Sequence, residues 1–469
     1  LLEQAVRKAH EYQLKGDYLS AERLYDQIVA NDPEEPLSAY LYGCLLLDTQ
    51  RIGLAMQLLS RAMDLAHTQD KLKSMAYIPN ALGSVYRTIG QPEAALKLYN
   101  YALELDPSDN SPFLNLGGLY INEGKPSEAL RLCNQVLEKH PDDARTLKHK
   151  GLALMELGEF KEGWELYKNR YYIDPERPTR EFNPRPYECK HWEGEEVNCL
   201  AIHGEQGLGD EVLFLSFLKE AKKRAKTVVI ECNHRLVKLF DRSFGVKCYP
   251  DHESLIKENN PDAYCPMGSL GCYVGPVPDG LPYLTADPSR VEFYSRELEK
   301  TGPGPFVALS WKGGTMKTHQ HVRNASISLW KRFLDTPCTF VSVQYGAAGA
   351  SANDLEIPHW QESIDDIDEL AALIKACDLV VSVCNTTIHL AGALGVPCWV
   401  LTPSKPAWRY GISGESVPWY QSVKLYRQTQ TWDDVFQTVK KDLNEKATGI
   451  RTTDAAYERA SSPALRTGT

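Results

Sequence analysis

Four columns of small or imino residues recur every 34 positions in the first third of the chain. Gly83, Gly117 and Gly151 form one column, and Gly90, Gly124 and Gly158 a second. Ala95, Ala129 and Gly163 form a third, and Pro107, Pro141 and Pro175 a fourth. A fixed period of this length constrains the fold strongly. One supersecondary unit must stack on copies of itself to bury its apolar face. Small residues let two helices touch, and a proline stops the second helix. Two less regular units come first. Gly16, Ala21, Tyr25 and Pro33 mark one; Gly43, Ala55 and Ala62 mark the next, with a longer exit through His67–Asp70. The expectation is five units over residues 2–175.

This register is identified as the tetratricopeptide repeat (TPR), which implies one helix pair per repeat and a curved α-solenoid over 1–175 with a concave groove. Such a groove holds a protein or peptide; a spacer or dimer surface is the plainer reading. Tyr86, Tyr99, Tyr120 and Tyr167 fall at repeat consensus positions and are expected to pack. Asn115 stands where the repeats of O-GlcNAc transferase carry an asparagine ladder, but the neighbouring repeats have Ala81 and His149 there. Asn115 and the concave face are the acceptor-contact candidates.

A chain of 469 residues exceeds one core. Its formal net charge of −10 argues against a nucleic-acid partner, which usually meets a basic face. The twelve cysteines are scattered singly, without a Cys-x-x-Cys pair or zinc spacing, as expected for reduced thiols in a cytoplasmic protein. No run approaches a membrane span, and no signal peptide is visible, although the chain opens on Leu1 rather than Met.

Residues 176–198, with Pro178, Pro184 and Pro186, are expected to be a linker. Beyond them, apolar β-rich runs alternate with helical ones, which predicts parallel α/β architecture. Strands are expected at 199–203, 227–231, 246–249, 306–310, 339–343, 379–383 and 397–401. Helices are expected near 210–225, 234–242, 289–300, 328–334, 367–376 and 386–395. Prolines at 276, 278 and 282 and the Gly302–Pro305 break divide this region into halves 199–302 and 303–446, with a cleft between. The polar stretch 447–469 is expected to be a disordered tail.

Three stretches could carry chemistry. In the first, the strand ending at Ile202 runs into His203-Gly-Glu-Gln-Gly-Leu-Gly-Asp210 and then a helix. Gly204, Gly207 and Gly209 permit close backbone approach to an anion at the helix N-terminus. Asp210 is there as a cap or a base. The second is Ser310-Trp-Lys312 with Lys317, His319, His321 and Arg323, a loop of potential cations. The third is Asn385-Thr386-Thr387 with His389, which opens a helix as a phosphate site or a plain N-cap. Two decoys stand beside them. Asp366-Ile-Asp368 spells a metal motif, but it lies where first-turn carboxylates are ordinary. Gly204, Gly207 and Gly209 with Glu231 echo a dinucleotide fingerprint, but in the wrong order.

The repeat array, Trp192-x-Gly194-Glu195 and Glu205-Gln-Gly-Leu-Gly-Asp210 together resemble bacterial TPR-fused glycosyltransferases with a heptosyltransferase-like domain. Ala371–Ile374, Asp378–Val383, His389–Gly395, Pro406–Tyr410 and Pro418–Tyr420 agree. The resemblance implies an α + α/β chain: the solenoid, then a GT-B-like pair of Rossmann-like domains, with acceptor and base on the first half and nucleotide-sugar on the second. It implies inverting, metal-independent transfer to a protein hydroxyl, flagellin being one acceptor of such enzymes. No cofactor is expected beyond the nucleotide-sugar co-substrate. Asp210 would be the base; Gly207, Gly209, Ser310, Lys312, Arg323, Asn385, Thr386, Thr387 and His389 would hold the donor. Many relatives have Asp-Thr where this chain has Cys384-Asn385. A TPR adaptor with a degenerate transferase domain, and a transferase acting on a glycan or lipid-linked sugar, are the alternatives.

Overall fold

The computed structural model describes residues 2–172, 185–314, 320–346 and 355–461. The chain forms two compact units, one made of residues 1–179 with 315–321 and the other of 180–314 with 322–469.

The N-terminal unit is a series of helix pairs: α1 Leu2–Leu14 with α2 Tyr18–Asn31, α3 Pro36–Asp48 with α4 Ile52–Thr68, α5 Tyr77–Thr88 with α6 Pro92–Leu105, α7 Ser111–Asn122 with α8 Pro126–Leu137, and α9 Ala144–Glu156 with α10 Phe160–Tyr167. Proline sits in the first turn of α3, α6, α7 and α8, where its missing N–H costs no helical hydrogen bond. The turn inside each pair needs a left-handed residue. Gly16, Gly90, Gly124 and Gly158 supply it, and Gln50 takes it in the second repeat at φ 65°. The column of Gly43, Gly83 and Gly151 marks the tight helix crossings. A Cβ on Gly83 would lie 2.7 Å from the Tyr99 ring. Tyr99 and Tyr167 are buried as expected, while Tyr86 and Tyr120 are half-buried against the same core as Tyr99. The longer exit of the second repeat is a 3-10 turn, Leu72–Met75. Each odd-numbered helix also packs on the next odd-numbered one, so α1, α3, α5, α7 and α9 share a face.

The C-terminal unit holds two five-stranded parallel sheets. Their strands are β1 Lys190–His191, β2 Val197–His203, β3 Ala225–Glu231, β4 Cys248–Tyr249 and β5 Ala263–Pro266; then β6 Phe306–Ser310, β7 Thr339–Ser342, β8 Leu379–Val383, β9 Cys398–Thr402 and β10 Val423–Arg427. The orders are β1-β5-β2-β3-β4 and β10-β9-β8-β6-β7. Helices used below are α11 Leu208–Phe214, α12 Val237–Phe244, α13 Pro288–Glu299, α14 Ile367–Ala376, α15 Thr386–Leu394 and α16 Trp432–Ser461. β2, β6 and β8 are almost wholly buried, as strands covered on both faces must be. Val435, Phe436, Val439 and Leu443 of α16 enter the core of the second sheet beside Trp330 and Phe333.

Four sequence expectations change. The helix expected over 210–225 stops at Phe214 and continues as short 3-10 and α turns to Arg224. Val212–Leu215, Phe217 and Leu218 are all buried, so packing rather than one amphipathic face sets its path. The end of the expected linker is part of the first sheet. β1 pairs with β5, and the fully buried Trp192 donates its indole N–H to the Glu195 carbonyl at 2.7 Å. α13 precedes the expected boundary at 302 yet packs on α14, through Arg290 and Tyr294 to Glu369. The helix α16 runs through 447–461, where a disordered tail was expected, and Ala447 is fully buried; residues 462–469 of that expected tail lie outside the described residues.

Candidate functional site

In each sheet the chain doubles back beside the first long strand: β2 lies between β3 and β5, and β6 between β7 and β8. Open parallel sheets bind ligands outside the carboxyl ends of strands at such switch points. The loop after β2 carries Gly204–Asp210. The loop after β6 carries Lys312, and the loop after β8 carries Cys384 and Asn385. All three chemical stretches thus emerge at switch points.

The starts of α11 and α15 meet. A Cβ on Gly209 would stand 3.0 Å from His389 Cδ2 and 3.4 Å from both Cα and Oγ1 of Thr386. Only a residue without a side chain allows this approach. Gly207 is the N-cap of α11 and makes no side-chain cap bond, and its carbonyl accepts from the N–H groups of Asp210 and Glu211 at 2.9 and 3.0 Å. The cleft expected between the halves is therefore closed at this level. Other ties hold the halves together. Arg242 forms a two-pronged ion pair with Asp368, and Lys238 pairs with Asp366 at 3.1 Å.

Asp210 lies in the first turn of α11 and pairs with Arg409, which stands on the 3-10 turn Trp408–Tyr410 after β9. Their side chains are only 22% and 15% exposed, so this pair is mostly shielded from solvent. The guanidinium also lies 5.4 Å from the Trp408 ring centroid. Arg427 fastens the loop beyond, donating to the carbonyls of Gly411, Ser413 and Gly414 at 2.9, 2.9 and 2.6 Å and to that of Tyr410.

His389 is buried, and its Nδ1 is 3.1 Å from the Tyr420 hydroxyl. Burial, then the positive charges of Arg409 and Arg323, push its pKa well below the usual histidine value, so the ring is neutral. Burial likewise raises the Cys384 thiol to about 11, against the pull of Arg323. Arg323 closes the short helix Gln320–Arg323, and its charge acts on both Cys384 and His389.

Two expected donor contacts serve the protein itself. The Asn385 side chain caps α15 by accepting from Thr387 N at 3.0 Å, accepts from Ser382 Oγ at 3.1 Å and donates to Ser310 Oγ at 2.8 Å. Ser310 is fully buried in that bond. Asn385 thereby stitches β6 to β8, and Gly313 lies so close that a Cβ would fall 2.6 Å from Asn385 Cβ. Gln344 holds the same loop, accepting from the backbone N–H groups of Trp311 and Lys312 at 2.8 Å each. The Lys312 side chain is exposed, Thr386 is half-buried and Thr387 is buried. Lys317 and His319 lie outside the described residues, as does the side chain of His321.

Neither decoy is free for its borrowed role. Asp366 caps α14 through Asp368 N at 2.8 Å, and both carboxylates carry the ion pairs above. Glu231 is held by Arg185, whose Nε lies 2.9 and 3.0 Å from its two oxygens.

Sequence reasoning missed the buried acids beside Asp210. Glu205 Oε1 accepts from Gly268 N at 2.8 Å, tying the β5 loop to the β2 loop. Glu211 accepts from Asn233 N at 2.9 Å beneath Gly204. Burial, reinforced by Glu231, Asp210 and Glu205, pushes the Glu211 carboxyl up to about 8. Arg409 was also passed over as a site residue, although the aromatic loop Trp408-Arg-Tyr410 was visible.

In the repeat unit, Asn115 Nδ2 donates to Asn80 Oδ1 at 2.8 Å, linking α7 to α5 on the odd-helix face. Its neighbour in the preceding repeat is therefore Asn80 rather than Ala81. A Cβ on Gly118 of α7 would lie 3.2 Å from Arg87 Nη1 and 3.5 Å from His149 Cε1, so this face is polar and closely set.

Residues 6–68 and 90–150 match tetratricopeptide-repeat models. The N-terminal unit is a TPR array, of the kind that presents surfaces to protein partners. Over 452 residues the chain is 29% identical to Protein FlbA of Caulobacter vibrioides, covering 88% of this chain and 74% of that protein. Solved structures that resemble it include MamA, at 22% identity over 34% of this chain and 91% of that one, with a TM-score of 0.29. Another is YrrB, described as a TPR protein with an unusual peptide-binding site, at 21% identity over 36% and 85%, with a TM-score of 0.28. Among the described residues no helix is long and apolar enough to cross a membrane.

Proposed function

We propose that this tetratricopeptide-repeat protein is a glycosyltransferase of GT-B type that moves a sugar from a nucleotide-sugar to a hydroxyl of a protein recruited by its repeats. One observation carries the reading. A carboxylate, two guanidinium groups and two helix N-termini converge at the switch points of two parallel sheets. That set suits both ends of a displacement at an anomeric carbon. The acceptor oxygen attacks the sugar carbon, its proton passes to Asp210, and the bond from that carbon to the donor phosphate breaks. The departing anion gains negative charge, which Arg323, Arg409, Lys312 and the first turn of α15 offset. Attack opposite the leaving group inverts the carbon, and no step calls on a metal. His389, neutral and bonded to Tyr420, holds the α15 turn against Gly209.

The test is transfer itself. The purified chain is incubated with UDP-, GDP-, ADP- and CMP-linked sugars and candidate acceptor proteins, flagellin-type proteins included, and products are read by intact mass. Asp210→Asn is expected to lower turnover by about a hundredfold or more, the usual worth of a positioned base. Transfer that persists unchanged in this variant defeats the assignment.

The adaptor reading draws on a different observation: Ser310 and Asn385 spend their polar groups inside the protein, and Asp210 is already paired. It predicts partner binding by the repeats with no transfer from any donor.

A further inference from the structure

We propose that Arg409 is a donor-binding residue that masks Asp210 until a diphosphate group draws it away. The inference rests on the glycosyltransferase reading and adds an order of events to it. Arg409 and Asp210 come from different halves of the C-terminal unit, and their side chains are mostly buried. A guanidinium this shielded needs a counter-charge, and Asp210 supplies it in the unliganded protein. Held this way, the Asp210 carboxylate is engaged with the Arg409 guanidinium rather than with an incoming hydroxyl.

The surroundings favour exchange of partner. Arg323 acts on the same buried His389 as Arg409 does, and no carboxylate pairs with Arg323 among the described residues. The N-terminus of α15 adds further positive potential at Thr386, within reach of Gly209. Arg323 and the start of α15 thus add positive charge beside Arg409 that an anion can offset. A diphosphate offers several oxygens in a bidentate geometry that guanidinium matches well. The Arg409 backbone need not move for this. Its carbonyl accepts from Trp419 Nε1 at 2.8 Å, and Arg427 pins the adjoining loop, so only the side chain turns. Donor binding then both fixes the leaving group and frees the base, and acceptor attack follows it.

The test measures the affinities of UDP, GDP, ADP and inorganic pyrophosphate by calorimetry, for the wild-type chain and three variants. Arg409→Gln removes the proposed ligand and is expected to weaken the preferred nucleotide by about tenfold or more. Arg409→Lys keeps charge without the fork and should fall between. Asp210→Asn removes the competitor at unchanged shape and is expected to tighten the same nucleotide by about three- to tenfold. A merely structural ion pair predicts the opposite sign for Asp210→Asn, because its loss would loosen the site in both variants. Binding weakened alike by Asp210→Asn and Arg409→Gln therefore overturns the masking while leaving a donor site intact. Absence of binding by any of the four ligands to the wild-type chain overturns the masking, and absence of transfer from the CMP-linked sugars as well overturns the glycosyltransferase reading with it.

Discussion

Glu211 makes stability fall as pH rises, and Glu211→Gln should abolish most of that fall. Its carboxyl lies under Gly204 with one oxygen accepting from Asn233 N, and burial is the main reason that it titrates at about 8 instead of 4.5. Between these values the folded chain holds a proton that the unfolded chain has released. The contribution is fully present below pH 4.5 and is lost as pH climbs through about 8. Each pH unit inside that window removes about 1.4 kcal/mol, so the loss is about 3 kcal/mol at neutrality and about 5 kcal/mol once Glu211 ionises. Glutamine keeps the shape and an acceptor for Asn233 but cannot ionise. Urea unfolding followed by tryptophan fluorescence, at half-unit steps from pH 5 to 9, compares the two proteins. The wild type is expected to lose stability relative to Glu211→Gln steadily from pH 5 to 8 and to level off beyond. A difference that stays constant across the range refutes the buried-acid argument.

Other consequences are open to direct measurement. Gly392→Ala puts a methyl 2.3 Å from the Tyr420 ring in a fully packed core, so unfolding should move by about 1–3 kcal/mol. The displaced ring should also disturb His389, read as a change in its imidazole NMR signals. Arg427→Met leaves the carbonyls of 410–414 without their shared donor. Donor affinity should then fall while the thermal midpoint of the repeat unit stays, and unchanged donor affinity would show that the loop needs no clamp. Asn115→Ala breaks the tie to Asn80 and is expected to weaken partner capture by the repeats, measured by co-precipitation, without changing nucleotide affinity.

The 34-residue columns were enough to specify the repeat unit, because each small residue, turn glycine and proline acts within one helix pair. Gln50 shows the limit: without a glycine its turn was not legible, although the stacking of neighbours imposes the same left-handed conformation there. The long inner strands of the α/β unit were equally legible, since β2, β6 and β8 each carry a run of apolar residues. The short β1 and β5 were not, because their place depends on partners more than fifty residues away. Local pattern also put Asp210 and Thr386 at the starts of helices after strands, and Lys312 on a loop after one. Only the tertiary structure turned Asn385 and Ser310 into a stitch between β6 and β8, paired Asp366 and Asp368 with α12, and raised Glu211 by burying it among other acids. The same holds for Arg409 beside Asp210, 199 residues apart in sequence. Charge pairing and burial are properties of what surrounds a side chain in space, and strand order, which no single segment encodes, decides those surroundings.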